Sequence, residues 1–151
     1  MFCPTTSSWY TIDNNFMLGG WMHKSNFGGH SKSSTGNVGA YVSMGMRMQM
    51  AQYPDYVDTF ANNTLVFGKG GTYIEVVSCT QHLCPQAPRS ELCPSGKCFQ
   101  HVSGNRIFGD KASVNTPNGT IPVAEWLAMG FDPDSAVGSA AAPTDAELIA
   151  M

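Results

Sequence analysis

Charged residues are scarce in this 151-residue chain, since Asp, Glu, Lys and Arg make up 13% of it, about half of the usual ~25%. The surface must therefore be covered largely by Ser, Thr, Asn, Gln and Gly, which favours a β-rich, secreted type of protein over a cytosolic helical one. Only eight Lys and Arg residues are present and the net charge is −3. This charge offers no electropositive footprint for nucleic acid or an anionic membrane, so neither is expected as a partner.

Long apolar runs are also missing, and none approaches the ~20 residues that span a bilayer. The N-terminus, Met1–Thr5, lacks the basic start and apolar stretch of a signal peptide. That conflicts with the secreted type of composition, so we expect an extracellular protein whose sequence here is a fragment or lacks its true start. Two glycosylation sequons are compatible with secretion: Asn62-Asn63-Thr64 and Asn118-Gly119-Thr120.

The sequence contains no P-loop, nucleophile elbow, zincin or dinucleotide fingerprint, and we expect no cofactor. Gly68–Thr72 resembles a phosphate loop only superficially, because it lies between two predicted strands and opens no helix. It is predicted to be a turn.

Cysteine is present but confined mainly to one Pro-rich segment. The five cysteines are Cys3, Cys79, Cys84, Cys93 and Cys98. The last four follow the spacing C-x4-C-x8-C-x4-C, whereas zinc sites normally use tighter pairs and a longer spacer. We therefore predict that 79–98 is a loop insertion stapled by two disulfides, with three connectivities open. No metal site is predicted, although His82 and His101 would be the natural further ligands if this loop held zinc.

The clearest local pattern is Val42–Met50, in which every even position is apolar and every odd position is small or polar. Period 2 predicts a strand with one buried face. Its four methionines could instead bind Cu(I) through their thioethers. Packing is favoured over copper, because alternate side chains of one strand share a face and Met fills irregular core gaps well.

Six further segments are rich in β-branched and aromatic residues and are predicted to be strands. They are Tyr10–Ile12, Asn15–Leu18, Thr64–Phe67, Thr72–Val77, Phe99–Val102 and Asn105–Phe108. Gly and Asn clusters between them supply the positive φ angles of tight turns. Asn also recurs at strand entrances, at Asn14-Asn15, Asn62-Asn63 and Asn105. Stacked coils could join such Asn residues in a hydrogen-bonded ladder, but Asn also simply favours turns, and both interpretations stay open.

The last part of the chain changes character. Ile121–Gly130 predicts a short helix with Pro122 near its start and Gly130 at its end. Gly138–Pro143 is a linker of small residues, and Pro143–Leu148 has the pattern of a capped helix start.

These segments together resemble the right-handed parallel β-helix repeat proteins of the pectate-lyase-like superfamily, in their C-terminal portion. The tail is similar to the segment that closes many such domains: Thr120–Trp126, then Gly130–Val137, then the helix start at Pro143. Leu127 and Phe131 depart from the usual Gln and His. Three earlier segments look like consecutive coils of the family: Asn26–His30, Asn37–Val42 and Asp58–Val66.

The resemblance implies an all-β fold, a right-handed parallel β-helix of several coils with a short C-terminal helical cap. We expect coils over 1–120 and the capping segment over 121–151. It also implies a carbohydrate-related setting, with a polysaccharide or glycan as partner, but no single reaction, because this fold hosts lyases, hydrolases, epimerases and structural proteins.

Candidate catalytic residues are few, because polysaccharide hydrolysis needs two carboxyl groups and lyase chemistry a base with a cation. Asp55 and Asp58 precede a predicted strand at a coil corner, and His30 lies one or two coils earlier. These three are the catalytic candidates, with Lys24 and His23 flanking them. The alternative, which we favour, is that Asp55 and Asp58 cap turns and that His30 ends a Gly-Gly turn.

Aromatic residues could form a platform on which sugar rings stack. The candidates are Trp9, Tyr10, Trp21, Tyr53 and Tyr56. Trp21, Tyr53 and Tyr56, with Lys24, are the predicted substrate-binding residues, although aromatics more often belong to the core. Trp126 is expected to be structural.

Three function classes follow: a secreted carbohydrate-active or carbohydrate-binding module, a structural or adhesive β-helix without catalysis, and a fragment whose active residues lie elsewhere. A coil end open at Tyr10–Leu18 would leave strand edges unpaired, so we also expect self-association.

Overall fold

A computed structural model of the chain describes residues 8–25, 31–48, 58–76, 100–116, 119–130, 132–138 and 142–151. Within these residues the protein consists mostly of short β-strands, with two short helices near the C-terminus. The all-β class predicted from the sequence is confirmed.

Twelve strands form four successive groups of three, which we call rungs 1 to 4. Rung 1 contains β1 (Thr11–Asp13), β2 (Phe16–Leu18) and β3 (Trp21–Ser25). Rung 2 contains β4 (Ser33–Thr35), β5 (Val38–Ala40) and β6 (Met44–Met48). Rung 3 contains β7 (Asp58–Ala61), β8 (Thr64–Val66) and β9 (Gly71–Val76). Rung 4 contains β10 (Gln100–Ser103), β11 (Arg106–Phe108) and β12 (Ala112–Thr116).

The remaining elements follow rung 4. They are β13 (Gly119–Pro122), α1 (Val123–Ala128), β14 (Ala136–Val137) and α2 (Asp145–Ile149).

The three strands of each rung belong to three different sheets, and every rung visits the sheets in the same order. Sheet 1 is β1-β4-β7-β10, sheet 2 is β2-β5-β8-β11-β14, and sheet 3 is β3-β6-β9-β12-β13. All pairings are parallel except that of β12 with β13. None of these sheets closes on itself within the described residues. This arrangement is compatible with a β-helix.

The corner between sheets 1 and 2 has the same two-residue form in every rung. Its first residue has a positive φ, between 52° and 65°, at Asn14, Gly36, Asn62 and Gly104. Its second residue is Asn: Asn15, Asn37, Asn63 and Asn105. Only Gly and, more rarely, Asn or Asp adopt such a φ readily, which explains the Gly or Asn before each ladder Asn.

The corner asparagines form a hydrogen-bonded ladder, one of the two interpretations that the sequence alone did not distinguish. The backbone N of Asn37 donates to Oδ1 of Asn63 at 3.0 Å, and Nδ2 of Asn37 donates to the same oxygen at 3.0 Å. Asn15 repeats both bonds on Asn37, and Asn63 repeats them on Asn105. Successive members lie 22, 26 and 42 residues apart. The variation arises in the connections from sheet 3 back to sheet 1, so no strict sequence repeat exists.

The apolar core lies between the three sheets. Its members include Val42, Met46, Phe60, Leu65 and Ile74. The even-numbered positions predicted to be buried in Val42–Met50 are buried at Val42, Met44 and Met46, and Ser43 is exposed as expected, but the odd-numbered Gly45 is buried as well, so the strict alternation is not kept. Met46 packs within the core, which supports packing rather than copper binding.

The C-terminal elements close the rung 4 end of the stack. Pro122 precedes α1, Gly130 has a positive φ after it, and Trp126 is buried, all as predicted. Ser135 Oγ accepts the Asn105 backbone N at 2.7 Å, in the place that an Asn side chain takes elsewhere in the ladder. Ser135 in turn donates to Asp132, which also accepts the hydroxyl of the buried Tyr73 at 2.6 Å.

The second helix, α2, lies on the outer face of sheet 2. Its start carries the predicted cap: Thr144 Oγ1 accepts from the backbone N of Glu147, and the Glu147 carboxylate accepts from the backbone N of Thr144. Leu148 is buried against the outward-facing Val38, Ala40, Val66 and Phe108. Sheet 2 is therefore apolar on both faces.

Candidate functional site

Asp58, the first catalytic candidate, lies in the interior at the start of β7. It is fully buried, its Oδ1 accepts the backbone N of Lys32 at 2.9 Å, and its Oδ2 lies 3.7 Å from Lys32 Nζ. The pair links rung 3 to the residue that precedes β4 in rung 2. Burial lowers the pKa of Lys32, and the Asp58 carboxylate opposes that shift. This contact gives Asp58 a structural role, and its catalytic assignment stays a prediction.

His23 lies beside this pair and is also buried. Its ring packs between those of Tyr10 and Phe60, with centroid distances of 6.3 Å and 6.1 Å. In the described part of the chain neither of its ring nitrogens has a hydrogen-bond partner. Burial lowers the pKa of His23 to about 4, and Lys32 acts in the same direction while Asp58 opposes it. The ring is therefore neutral at physiological pH.

Tyr10 closes the other side of this cluster. Burial, and then the Asp58 charge, raise its pKa. One carboxylate, one ammonium group and a neutral imidazole thus meet inside the stack. A polymeric substrate cannot reach Asp58 or His23 in this conformation, because Asp58 is 0% and His23 2% exposed.

The outer face of sheet 3 presents a different group of side chains. Trp21 is 46% exposed at the start of β3. Lys24 Nζ lies 5.7 Å and Arg47 Cζ 5.5 Å from the centroid of its ring. Cations over an aromatic face are attracted by its quadrupole, by ~0.5–1 kcal/mol at exposed sites. Two of the predicted substrate-binding residues, Trp21 and Lys24, are therefore brought together.

Arg47 connects this aromatic corner to the next strand. Its Nε lies 2.8 Å from Glu75 Oε2, and both side chains are about one-quarter exposed. Arg47 and Glu75 are register partners on β6 and β9. The paired Nε and Oε2 atoms are buried, but solvent still screens side chains that are about one-quarter exposed, so the pair contributes on the order of 1 kcal/mol or less. It does fix the guanidinium group in a defined position at the surface.

A polar row continues across the sheet from there. Glu75 pairs in register with Asn115, and Asn115 with Thr120. Asn115 Nδ2 donates to Thr72 Oγ1 at 3.2 Å, and Thr120 Oγ1 donates to Asn115 Oδ1 at 2.9 Å. We call the set Trp21, Lys24, Arg47, Thr72, Glu75, Asn115 and Thr120 the sheet 3 face. This face runs across five neighbouring strands. The four spacings between them, at ~4.8 Å each, give it a width of about 19 Å.

Sequence reasoning missed Lys32, Arg47 and Glu75. Arg47 and Glu75 are far apart in the chain and meet only through the register of β6 on β9. The available signal for Arg47 was its odd position in the Met-rich strand, next to the buried Met46, because adjacent residues of a strand face opposite sides of the sheet.

Several predicted residues lie outside the described residues. They are Asp55, His30, Tyr53 and Tyr56, and the cysteines Cys3, Cys79, Cys84, Cys93 and Cys98. Their assignments stay predictions, including the two disulfides and the domain division at residue 120. Among the described residues, no His, Cys, Asp and Glu side chains group to hold a metal ion. No described helix is long and apolar enough to cross a bilayer.

Comparison with protein-family models, with curated proteins and with solved structures finds no match for this chain.

Proposed function

We propose that the chain is a right-handed parallel β-helix module of an extracellular protein, and that the sheet 3 face binds a polysaccharide. The repeated order of three parallel sheets and the Asn ladder support the β-helix. The right hand is supported by a general rule, since crossover connections between parallel strands are right-handed in ~98% of cases.

The observation that carries the binding proposal is the position of two cations over the half-exposed Trp21 ring. An aromatic ring offers a sugar a flat apolar surface for its CH face. Lys24 and Arg47 offer hydrogen-bond donors that also suit a carboxylate or sulfate group on the sugar. Acidic glycans therefore fit this face better than neutral ones. The polar row toward Thr120 would accept further sugar hydroxyls.

Binding is favoured over hydrolysis on this face. Glycoside hydrolysis needs two carboxyl groups, about 5–10 Å apart. Among the described residues of the sheet 3 face, Glu75 is the only carboxylate, and it is held in an ion pair with Arg47. A single paired carboxylate suits recognition better than acid–base catalysis.

A glycan array combined with polyuronate and neutral polysaccharides tests the proposal. We expect the protein to bind acidic glycans, with an affinity that falls as salt is raised because the contacts are exposed ion pairs. Trp21→Ala and Arg47→Ala should each weaken binding by about tenfold or more, the equivalent of ~1.4 kcal/mol. The same panel, assayed for new reducing or unsaturated ends, detects cleavage.

Matched controls lie on sheet 2. Arg106→Ala removes an exposed arginine whose Cζ lies 5.5 Å from the Phe108 ring, and Phe16→Ala removes an exposed aromatic ring. Both should keep full binding. Equal losses in Arg106→Ala and Arg47→Ala would mean that net charge, rather than this face, governs binding.

The second candidate is a structural or adhesive β-helix without a glycan ligand. The Asn ladder favours it, because three asparagines that are fully buried serve only to join rungs. If the wild-type protein binds no glycan of the panel, this candidate is favoured over the first.

A further inference from the structure

Exposed apolar side chains concentrate at the rung 1 end of sheet 2. Leu18 is 74% exposed and Phe16 49% exposed on the outer face of β2. On the adjoining helix α2, Ile149 is 77% exposed, and a groove of about 220 Å³ lies between it and these two side chains. Tyr41 and Met151 border the same region. We call Phe16, Leu18, Tyr41, Ile149 and Met151 the end patch.

The strand beneath this patch is the edge of its sheet. Within the described residues, β2 pairs with β5 on one side and with no strand on the other. Natural edge strands are usually protected by Lys, Pro, a bulge or a covering element. The sequence of β2, Phe-Met-Leu, contains none of these residues, and its register with β5 is regular.

The Asn ladder is also open at this end. In Asn37 and Asn63, Oδ1 accepts two amide donors from the rung before. Asn15 Nδ2 donates to Asn37 Oδ1 and to Asp13 O, but Asn15 Oδ1 accepts no hydrogen bond from the described residues. An acceptor at a strand edge therefore faces outward where a further strand would supply donors.

The opposite end of the stack is covered at sheets 2 and 3, by β14 and β13, whereas β10 ends sheet 1 with no further strand among the described residues. Ser135 completes the ladder, Pro133 O accepts the backbone N of Gly104 at 3.0 Å, and β13 folds back on β12. A head-to-tail contact would need an open end on both sides of the interface. On sheet 2, β14 covers the other end, so pairing of two rung 1 ends through this sheet gives a closed two-fold contact rather than a filament.

We propose that two copies of this chain associate through their rung 1 ends, with β2 of one copy antiparallel to β2 of the other. A register centred on Met17 places Phe16 across from the partner's Leu18, and Leu18 across from the partner's Phe16. Cross-strand apolar pairs of this kind stabilise antiparallel sheets. No charge is buried between the two strands, because β2 contains no ionisable residue.

The patch is self-complementary, which favours a second copy over a foreign peptide. Two-fold pairing of β2 joins the two outer faces of sheet 2 into one surface, so that Ile149 and Met151 of both copies flank the central strands. The contact uses the strand edge, the exposed side chains and the groove together. It leaves the sheet 3 face outside the pairing of β2.

Sedimentation velocity over a range of protein concentrations tests this proposal. The wild-type protein should sediment as a monomer–dimer equilibrium. A Phe16→Lys/Leu18→Lys double variant should shift that equilibrium to monomer and raise the dissociation constant at least about 100-fold. The reason is that each copy would place two positive charges against the end patch of the other. Both side chains are exposed in the single chain, so the double variant should fold like the wild type, and circular dichroism checks this.

Val137→Lys is the matched control. It places a lysine on the same sheet at the closed end, at a side chain that is 41% exposed on β14. This variant should dimerise like the wild type. If the wild-type protein stays monomeric at about 100 μM, a concentration at which even weak dimers form, the proposal is wrong. The edge of β2 would then be free to pair with a strand from another molecule. Oligomers that grow beyond the dimer, or a double variant that associates as the wild type does, would also overturn the proposal.

Discussion

At the scale of single residues, His23 is the side chain whose surroundings differ most from those expected for its type. It is buried between aromatic rings, and the charged groups that face it are Asp58 and Lys32. A protonated ring here would lack water and a hydrogen-bond acceptor, which is why burial lowers its pKa to about 4. In the unfolded chain the pKa returns to ~6.5.

This difference predicts a pH-dependent stability. Because the folded pKa is the lower one, the unfolded chain binds the proton first as the pH falls. The contribution is complete above pH ~6.5 and is lost progressively toward pH ~4, by about 2 kcal/mol between pH 7 and pH 4.5. His23→Phe keeps an aromatic ring beside Tyr10 and Phe60. This variant should not lose the ~2 kcal/mol of stability that His23 accounts for between pH 7 and pH 4.5. Urea unfolding at pH 7 and pH 4.5 measures it.

The exposed His101 provides the control. His101→Gln removes a histidine from the surface and should keep the wild-type loss between the two pH values. If His23→Phe lost as much stability as the wild type over this range, the buried ring would not be the group responsible.

Residue types predicted part of the candidate site. The sequence predicts both Trp21 and Lys24 as substrate-binding residues, and the structure places them together. The interior position of Asp58 could not be predicted, because its partner Lys32 lies 26 residues away and the two meet only across rungs.

At the scale of elements, α2 is a short helix that depends on one docked side chain. Leu148 is 1% exposed among Val38, Ala40, Val66 and Phe108. A helix of five residues is too short to be stable alone in water. The capping box at Thr144 contributes about 1 kcal/mol. Most of the stability of α2 must therefore come from the burial of Leu148.

Leu148→Ala should release α2 from sheet 2. The loss of a buried leucine costs about 2–5 kcal/mol where the structure cannot relax, and here helix undocking limits the cost to the lower part of that range. Hydrogen exchange should show faster exchange at the α2 amides, with little change in β9 and β12. Ile149→Ala, the adjacent and mostly exposed position, should leave exchange at α2 unchanged. Equal effects of the two substitutions would contradict docking through Leu148.

Within the four rungs, strand patterns predicted β6 and six further strands, and they missed β3, β4, β5, β7 and β12. The six predicted segments coincide with β1, β2, β8, β9, β10 and β11 to within one or two residues at their ends. Strand β4, Ser33–Thr35, has no such run, and only its register between β1 and β7 makes it a strand. Strand β14, Ala136–Val137, likewise depends on its pairing with β11.

At the scale of the whole molecule, the Asn ladder is the feature that joins all four rungs and the cap. The sequence leaves the ladder undecided because only three of its members, Asn15, Asn63 and Asn105, stand at predicted strand entrances, and Asn37 precedes no predicted strand. The pattern that would have found all four is a Gly or Asn directly before an Asn at a strand entrance. Their separations of 22, 26 and 42 residues concealed the repeat.

The ladder predicts that one amide group controls the stability of the whole stack. Asn63 Nδ2 donates to Ser34 O and Asn105 Oδ1, both at 3.1 Å. Asn63→Asp keeps the acceptor for Asn37 but replaces those donors by a carboxylate oxygen facing two acceptors. Unsatisfied buried groups cost about 1–3 kcal/mol each, more when charged. We expect a loss of at least about 3 kcal/mol in urea unfolding.

The neighbouring Asn62 is the matched position, because it is exposed and its φ of 57° suits Asp as well as Asn. Asn62→Asp should change the stability by no more than about 0.5 kcal/mol. Asn15→Asp, at the exposed end of the ladder, should lose less stability than Asn63→Asp and more than Asn62→Asp. If the rungs unfold together, Asn63→Asp lowers the midpoint of a single transition. A second transition appearing in this variant, or equal losses at positions 62 and 63, would show that the ladder does not couple the rungs.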